Sequence, residues 1–342
     1  MCKTIGNCYL EHLSFIKLYE AYCRSSVNKR NKGEVLRFTM DLESNLCNIM
    51  SSLKNLSYVS SKYKSFVIYE PKERVIKALP FKDRVVQQWY IYEFIIPYIV
   101  PRFISDSYAC IKERGTHLAV YTLQKYMRKM RARYGDYYVL KCDIRKYFYS
   151  VNKDILYKIM KKYIRDKMLL ELTYKLIFDG EDKGISVGNY TSQYFANIYL
   201  NELDYYVKMK LGIKYYVRYM DDFVILLRSK EEVVDVFNKI RIFLSSFLDL
   251  ELNSKSRYYK SKIGVNFCGY IIHEDFKLLR NRSKRNIKKK VNKWNRDCCF
   301  SDINRIRMEY NSFVSYSKHA DSYRFRKKIY DSILLRDYLD KK

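Results

Sequence analysis

The chain has 342 residues, of which 66 are lysine or arginine and 37 are aspartate or glutamate, so its formal charge is +29. Hydrophobic residues make up 48% and charged residues 30%, a globular composition that excludes a disordered protein and is long enough for two or three domains. The positive surplus, interleaved with 36 tyrosines and 18 phenylalanines, favours a nucleic-acid partner over an acidic small molecule.

Several other classes of protein are disfavoured by the distribution of residues. No apolar run approaches the ~18 residues of a membrane span, and the first ten residues lack the pattern of a secretory signal. The nine cysteines are scattered without a C-x-x-C pair, which favours reduced thiols over disulfides or a zinc site. The four histidines lie far apart in the sequence, which disfavours a zinc hydrolase. We therefore expect a cytoplasmic protein with no membrane partner.

The predicted elements of the first third are helices followed by one hairpin. Residues 29–33 form a basic loop between two segments with apolar residues at helical spacing. Two short strands then flank Pro71, and we expect them to pair over residues 70–73. The predicted helices cover residues 12–25 and 34–56, and the predicted strands cover 66–69 and 74–79.

The centre of the chain alternates strands and helices, which predicts an α+β core in which a small antiparallel sheet is backed by helices. After Leu279 the composition changes, because residues 280–296 contain nine lysines and arginines and no acidic residue. We expect a helical C-terminal domain to begin there. The predicted central strands are 137–143, 214–219, 223–227 and 265–272, and the predicted helices are 154–163, 191–209 and 231–248.

The strongest local signal is the pair Asp221–Asp222 between two apolar strands. Two adjacent carboxylates in poorly hydrated surroundings are costly unless a cation neutralises them, although a solvated Asp–Asp turn is the simpler alternative. Asp143 ends another apolar strand 78 residues earlier. Aspartates at the ends of neighbouring strands can bind two Mg²⁺ ions, the arrangement used for nucleotidyl transfer.

Six sequence blocks occur in the order seen in reverse transcriptases, and the resemblance covers roughly residues 30–320. Within 184–193, Val187 replaces the usual Gln and Ser192–Gln193 ends the block, so the chain most closely resembles reverse transcriptases of diversity-generating retroelements, which are related to group II intron enzymes. Ser186 departs from the usual Pro, from which we expect a looser loop. The blocks are 66–74, 81–84, 143–150, 184–193, 219–222 and 267–270.

This resemblance implies a right-hand polymerase fold with fingers, palm and helical thumb. It implies an N-terminal helical extension at 1–30, fingers at 31–135, a palm at 136–272 with fingers elements around 150–185, and a basic thumb at 273–342.

The resemblance also implies the catalytic centre. Asp143, Asp221 and Asp222 would be the catalytic carboxylates and, with the Ile144 carbonyl, the ligands of two Mg²⁺ ions, for which Mn²⁺ could substitute.

For the incoming deoxynucleotide, Lys72 and Arg74 would bind the triphosphate, although a solvated basic turn fits their spacing equally well. Phe148 would exclude a ribose 2′-hydroxyl, although the residue could also be ordinary core. Val187 would contact the nucleotide without the hydrogen bonds of a Gln, so we expect error-prone copying. The implied nucleotide site comprises Lys72, Arg74, Phe148, Val187, Gly188 and Gln193.

The implied template and primer contacts lie on three segments. Arg84 would either touch the template or brace the fingers, and residues 267–270 match a primer-gripping hairpin. The basic run 280–296 would follow a duplex backbone, although a solubilising surface is the alternative. These contacts are Arg84, Tyr219, Met220, Phe267, Gly269, Tyr270, Arg282, Lys284 and Lys288.

Three functions remain open from the sequence. The first is an RNA-directed DNA polymerase, bacterial or phage-encoded, which copies a retroelement RNA into mutated cDNA and works with a small basic accessory protein. The second is a reverse transcriptase of a bacterial antiphage defence system acting on its own non-coding RNA. The third, of another class, is a non-catalytic RNA-binding protein on the same fold. For the enzymes, the partners would be template RNA, the RNA/cDNA duplex and deoxynucleoside triphosphates.

Overall fold

A computed structural model of the chain describes residues 4–69, 73–180, 183–297 and 302–339. The helices are α1 (Phe15–Ser26), α2 (Gly33–Met40), α3 (Leu42–Lys54), α4 (Phe81–Tyr90), α5 (Ile96–Tyr98), α6 (Thr116–Tyr134), α7 (Tyr147–Ser150), α8 (Lys153–Tyr163), α9 (Lys167–Ile177), α10 (Tyr190–Tyr205), α11 (Lys230–Leu248), α12 (Asn281–Arg296), α13 (Ile303–Ser317) and α14 (Tyr323–Asp331). The strands are β1 (Lys64–Ile68), β2 (Arg74–Ala78), β3 (Tyr138–Cys142), β4 (Tyr216–Tyr219), β5 (Asp222–Leu227), β6 (Arg257–Lys260), β7 (Val265–Phe267), β8 (Tyr270–Ile272) and β9 (Lys277–Leu279).

The centre of the fold is an antiparallel sheet with the strand order β4-β5-β3-β6. Leu140 of β3 faces Ile225 of β5, and Cys142 faces Phe223. The central strands β3 and β5 are largely buried on both faces, which is why they are almost continuously apolar instead of alternating with polar residues. The predicted small antiparallel sheet backed by helices is confirmed.

Two apolar cores cover the two faces of this sheet. Leu140, Phe223 and Ile225 belong to a core built mainly from helices, including α4, α8, α10 and α11. Val139 and Val224, on the opposite face, pack with α6 and with the sheet β7-β8-β9. The end of β3 and β5 that carries the carboxylates is therefore fixed from both sides.

The N-terminal helices pack around α4, and the hairpin β1-β2 extends from them with mostly exposed side chains. The predicted hairpin is confirmed, but its tip, residues 70–72, lies outside the described residues. The prediction of one helical stretch over 34–56 is wrong in detail. The helix breaks at Asp41, whose φ of −117° and ψ of 45° are not helical, so α2 and α3 meet there at a bend.

The C-terminal part contains a hairpin and three longer helices. The predicted strand 265–272 folds back on itself instead, because Cys268 and Gly269 have φ values of 45° and 95° and form a two-residue turn in which Phe267 pairs with Tyr270. Helices α12–α14 share a small core that includes Ile287, Trp294 and Ile329. Within the described residues, no helix combines the length and the apolar character needed to cross a bilayer.

Candidate active site

The pair Asp221–Asp222 lies in a tight turn between β4 and β5. Tyr219 faces Asp222 across the strand pair, and Met220, between them, takes a φ of +57° that side chains seldom adopt. Asp143 follows β3 directly, one residue beyond the pair formed by Cys142 and Phe223. The antiparallel register therefore brings Asp143 opposite Asp222, although the two residues lie far apart in the sequence.

A fully buried ion pair supports this turn from below. Arg218 donates from Nε and Nη2 to the carboxylate of Asp204 on α10 at 2.7 and 2.5 Å, and neither side chain is exposed. Its Nη1 donates to Asn197 Oδ1 and to the carbonyl oxygen of Met220, each at 3.0 Å. The guanidinium thus links the strained turn to the core. Burial would lower the pKa of Arg218, but the adjacent Asp204 outweighs burial and raises it.

Asp143 is oriented by the segment that precedes β6. Asn253 Nδ2 donates to Asp143 Oδ2 at 3.0 Å, and the hydroxyl of Ser256 lies 3.2 Å from both the backbone nitrogen and the carbonyl oxygen of Asp143. Ile144 bridges to Leu252 through hydrogen bonds of the flanking residues. That bridge leaves the Ile144 carbonyl oxygen facing away from the 250s segment.

The carboxylates repel one another in a poorly solvated place. Burial, then the nearby Asp143, raise the pKa of Asp221 to about 6, and Asp222 adds to the effect. Arg74, at the start of β2, opposes the shift, so its guanidinium lies near enough to Asp221 to act on it. The structure thus brings the hairpin β1-β2 to the turn that carries Asp221.

Asp222 is paired with a lysine from the neighbouring strand. Lys141 Nζ lies 2.6 and 2.9 Å from the two oxygens of Asp222. Burial raises the pKa of Asp222, and Lys141 offsets only part of that shift, with a smaller contribution from Arg280 at the start of α12.

The residues present suit a divalent cation. Carboxylate and carbonyl oxygens are the hard donors that Mg²⁺ and Mn²⁺ accept, and a cation would relieve the repulsion that raises the pKa of Asp221. Within the described part of the chain, however, no three acidic, histidine or cysteine side chains are gathered closely enough to hold a metal as they stand. The donor set therefore fits a divalent cation by its chemistry.

The candidate nucleotide residues converge on the loop that precedes α10. Ile185 N–H donates to the carbonyl oxygen of Phe148 at 2.8 Å, and Lys77 N–H of β2 donates to that of Val187 at 3.0 Å. Gly188 has a φ of +129°, and a Cβ there would lie 2.7 Å from the Lys77 carbonyl oxygen. The loop therefore joins α7 to the fingers hairpin, and Gly188 is required by that contact.

Gln193 and Lys72 are the remaining predicted residues of this group, and Ser186 lies in the same loop. Gln193 is exposed on α10, and its Oε1 lies 3.5 Å from the Cys110 sulfur. Lys72 lies outside the described residues. Ser186 does not loosen its loop as expected, because it is buried and its hydroxyl donates to Asp179 at 3.2 Å.

The template and primer candidates fall into two groups. Arg84 forms an ion pair with Glu34, which joins α4 to α2. Gly269 and Tyr270 contact α13 instead: the Tyr316 hydroxyl donates to the Gly269 carbonyl oxygen, and the Tyr270 hydroxyl donates to the Tyr316 carbonyl oxygen at 2.8 Å. Phe267 is fully buried, and Tyr219 and Met220 are half-buried at the catalytic turn.

Helix α12 separates its apolar and basic sides. Ile287, Val291 and Trp294 are buried, whereas Arg282 and Lys288 are exposed. Lys284 is half-buried, with its Nζ 5.9 Å from the centre of the Phe325 ring. Arg280, the residue before the helix, lies near enough to the hairpin Phe267–Tyr270 to act on the pKa of Cys268.

Sequence reasoning missed several residues of this site, namely Lys141, Arg218, Asn253, Ser256 and Arg280 as a neighbour of Asp222. Two of these residues could have been found from the sequence, because Lys141 and Arg218 are charged residues inside otherwise apolar strands. No sequence pattern marks Asn253 and Ser256, since their contacts with Asp143 depend on how β6 pairs with β3.

Comparison with known proteins identifies the family of the chain. The family model "Reverse transcriptase (RNA-dependent DNA polymerase)" matches residues 64–272. Protein YkfC of Escherichia coli is 25% identical over 263 residues, which cover 64% of this chain and 67% of that protein. A putative COX1/OXI3 intron 2 protein of Saccharomyces cerevisiae is 26% identical over 197 residues, 38% of this chain but only 23% of the yeast protein.

Among solved structures, telomerase from Candida albicans, in complex with a fragment of telomeric RNA, aligns with a TM-score of 0.49 and 12% identity over 84% of this chain and 62% of its own. Telomerase from Candida tropicalis aligns with a TM-score of 0.47 and 13% identity over 87% of this chain and 64% of its own. The family model spans more than half of the chain, from the start of β1 to the end of β8. The chain therefore belongs to the reverse transcriptase family of RNA-directed DNA polymerases, with their right-hand fold of mixed helices and antiparallel sheet.

Proposed function

We propose that the chain copies an RNA template into DNA, with Asp143, Asp221 and Asp222 as the catalytic carboxylates. The observation that carries this proposal is the convergence of these side chains at one end of β3 and β5, where burial and Asp143 raise the pKa of Asp221 to about 6. Perturbed carboxylates fixed at the end of a rigid sheet are typical of a site that binds cations.

Asp143, Asp221, the Ile144 carbonyl and Asp222 would hold two Mg²⁺ ions, or Mn²⁺ in their place. When bound, such a pair activates the attacking primer hydroxyl and stabilises the leaving pyrophosphate. The chain's own contribution is positioning: Asn253 orients Asp143, and Arg218 fixes the turn that carries Asp221. Arg74 would neutralise the triphosphate, together with Lys72 on the same hairpin.

Selection of the nucleotide would fall to the loop that precedes α10 and to α7. Phe148 would exclude a ribose 2′-hydroxyl, and Val187 would contact the nucleotide without the hydrogen bonds of a Gln. Gly188 and Gln193 would complete this site. The hydrogen bonds that tie the loop to both Phe148 and β2 support these roles, because they keep Val187 between the palm and the fingers hairpin.

The template RNA and its duplex with cDNA would run from Tyr219 and Met220 past the hairpin Phe267–Tyr270 to α12. The contact between Gly269 and Tyr316 supports this path, since it joins the hairpin to the thumb. Arg282 and Lys288 would meet backbone phosphates, and Arg84 would act as a brace within the fingers. In this arrangement the fingers would comprise residues 31–135, the palm 136–272 and the thumb 273–342, with residues 1–30 as an N-terminal extension.

We further propose that the enzyme belongs to a diversity-generating retroelement, is cytoplasmic and acts with a small basic accessory protein. The support is the replacement of Gln by Val187 and the pair Ser192–Gln193 that ends the same block. Copying would then be error-prone, chiefly opposite template adenine.

The catalytic assignment is tested by Asp221→Asn in a primer-extension assay on an RNA template. We expect a loss of about 10³-fold or more in rate, because a ligand of the cation pair is removed. The matched control is Asp235→Asn, an exposed aspartate on α11 paired with Lys239 at 2.7 Å. If both variants polymerise like the wild type, the catalytic assignment is wrong.

The proposed fidelity is tested by Val187→Gln. Sequencing of cDNA made by the purified protein should show fewer substitutions opposite adenine in the variant than in the wild type. An unchanged error spectrum would remove the support for the retroelement subtype while leaving the polymerase assignment intact.

A further inference from the structure

Lys141 is an unusual residue for its position. It occupies the fourth place of the otherwise apolar strand β3, where it faces Val224 of β5 and is a diagonal neighbour of Asp222 on the same face of the sheet. Its ammonium contacts both carboxylate oxygens, at 2.6 and 2.9 Å, and the two side chains are only 22% and 28% exposed. This contact uses the carboxylate oxygens that a divalent cation would need.

A second contact steadies the ammonium in this place. Lys141 Nζ lies 5.5 Å from the centre of the Phe267 ring, so the charge sits between the catalytic turn and the start of the hairpin Phe267–Tyr270. Lys141 also lines a cavity of about 400 Å³ with Lys255, Arg257 and Asn266 among its other walls. The flexible side chain therefore has room to leave Asp222 without disturbing the sheet.

From these contacts we propose that Lys141 is a tethered cation that competes with a divalent metal for Asp222. While it holds this position, the ammonium neutralises Asp222 and occupies both of its carboxylate oxygens. Asp222 becomes available only when Lys141 swings away. Lys141 thus acts through Asp222 to lower the affinity of the site for its metal, and this proposal rests on the catalytic site proposed above.

The test is binding of Mn²⁺ to the nucleotide-free protein, measured from the electron paramagnetic resonance signal of the free ion. Lys141→Met and Lys141→Gln should each bind Mn²⁺ about five- to tenfold more tightly than the wild type, because a competing charge is removed beside a half-buried carboxylate. Lys141→Arg, which keeps the charge, should stay within about twofold. Lys239→Met is the matched control, since it removes one positive charge from an exposed pair on α11.

The double variant Lys141→Met/Asp222→Asn identifies the target of the competition. If Lys141 competes for Asp222, removal of Lys141 has no effect on Mn²⁺ affinity once Asp222 is neutral. Equal Mn²⁺ affinity in wild type, Lys141→Met and Lys141→Gln would overturn the proposal, as would a tightening that persists in the double variant. A protein whose Mn²⁺ binding is indifferent to Asp221→Asn would instead count against the proposed catalytic site.

Discussion

The substitution Asp204→Asn tests whether the buried pair beneath the catalytic turn matters for stability. Asp204 accepts hydrogen bonds from Arg218 at 2.7 and 2.5 Å and from the Tyr216 hydroxyl at 2.7 Å, and neither Asp204 nor Arg218 is exposed. Asparagine has nearly the same shape but no charge. The variant therefore leaves a guanidinium buried without its counter-ion.

The expected loss follows from desolvation. Removing one partner of a buried ion pair costs about 3–5 kcal/mol, because the remaining charge stays in a medium of low polarity. The same substitution at Asp235, whose pair with Lys239 has a similar 2.7 Å separation but exposed side chains, should cost much less, because solvent screens an exposed pair. A loss of 3–5 kcal/mol is a large part of the ~5–15 kcal/mol by which domains are usually stable.

The assay is urea unfolding followed by far-ultraviolet circular dichroism, with both Asp→Asn variants measured beside the wild type. Asp204→Asn should also slow primer extension at temperatures where it remains folded, because Arg218 donates to the Met220 carbonyl in the turn that carries Asp221. If Asp204→Asn loses no more stability than Asp235→Asn, the pair does not contribute as its burial implies, and the argument for its support of the turn fails.

Three other predictions concern single positions. In EDTA at about pH 8, Asp221→Asn should raise the free energy of unfolding by up to about 3 kcal/mol, because folding raises the pKa of the Asp221 carboxyl from 3.8 to about 6 and the ionised form therefore disfavours the fold. The gain should vanish towards about pH 4, where the carboxyl is protonated in the folded protein. An equal gain at both pH values would contradict this prediction. Gly188→Ala should raise the KM for deoxynucleotides at least severalfold by forcing the loop off β2, whereas Gly180→Ala, with a φ of +87° but nothing within 4 Å, should not. Lys288→Gln should make the plot of log affinity for the RNA/DNA duplex against log salt concentration less steep by about 1. Lys290→Gln should change this slope less, because Lys290 is already paired with Glu309 at 2.8 Å.

The local pattern of the sequence was sufficient for most of the central elements. Apolar runs and helical spacing predicted β3, β4, β5, α8 and α11 closely, because both faces of this sheet are buried and each helix has one apolar side. The same reasoning failed at Asp41 and at residues 265–272. The helical spacing of apolar residues continues across the bend at Asp41, so the pattern gives no sign of the break. The two-residue turn at Cys268–Gly269 requires a positive φ at Cys268, a conformation that cysteine does not favour and that the sequence therefore does not predict.

The candidate site divides in the same way. The sequence alone determined the three carboxylates, since acidic residues at the ends of apolar strands are conspicuous, and the ordered blocks determined the family. Only the tertiary structure decided which groups act on those carboxylates: Lys141 on Asp222, Asn253 on Asp143, and Arg218 on the turn itself. The physical reason is that these contacts depend on strand register and on burial, which arise when distant segments pack and leave no periodic trace in the chain.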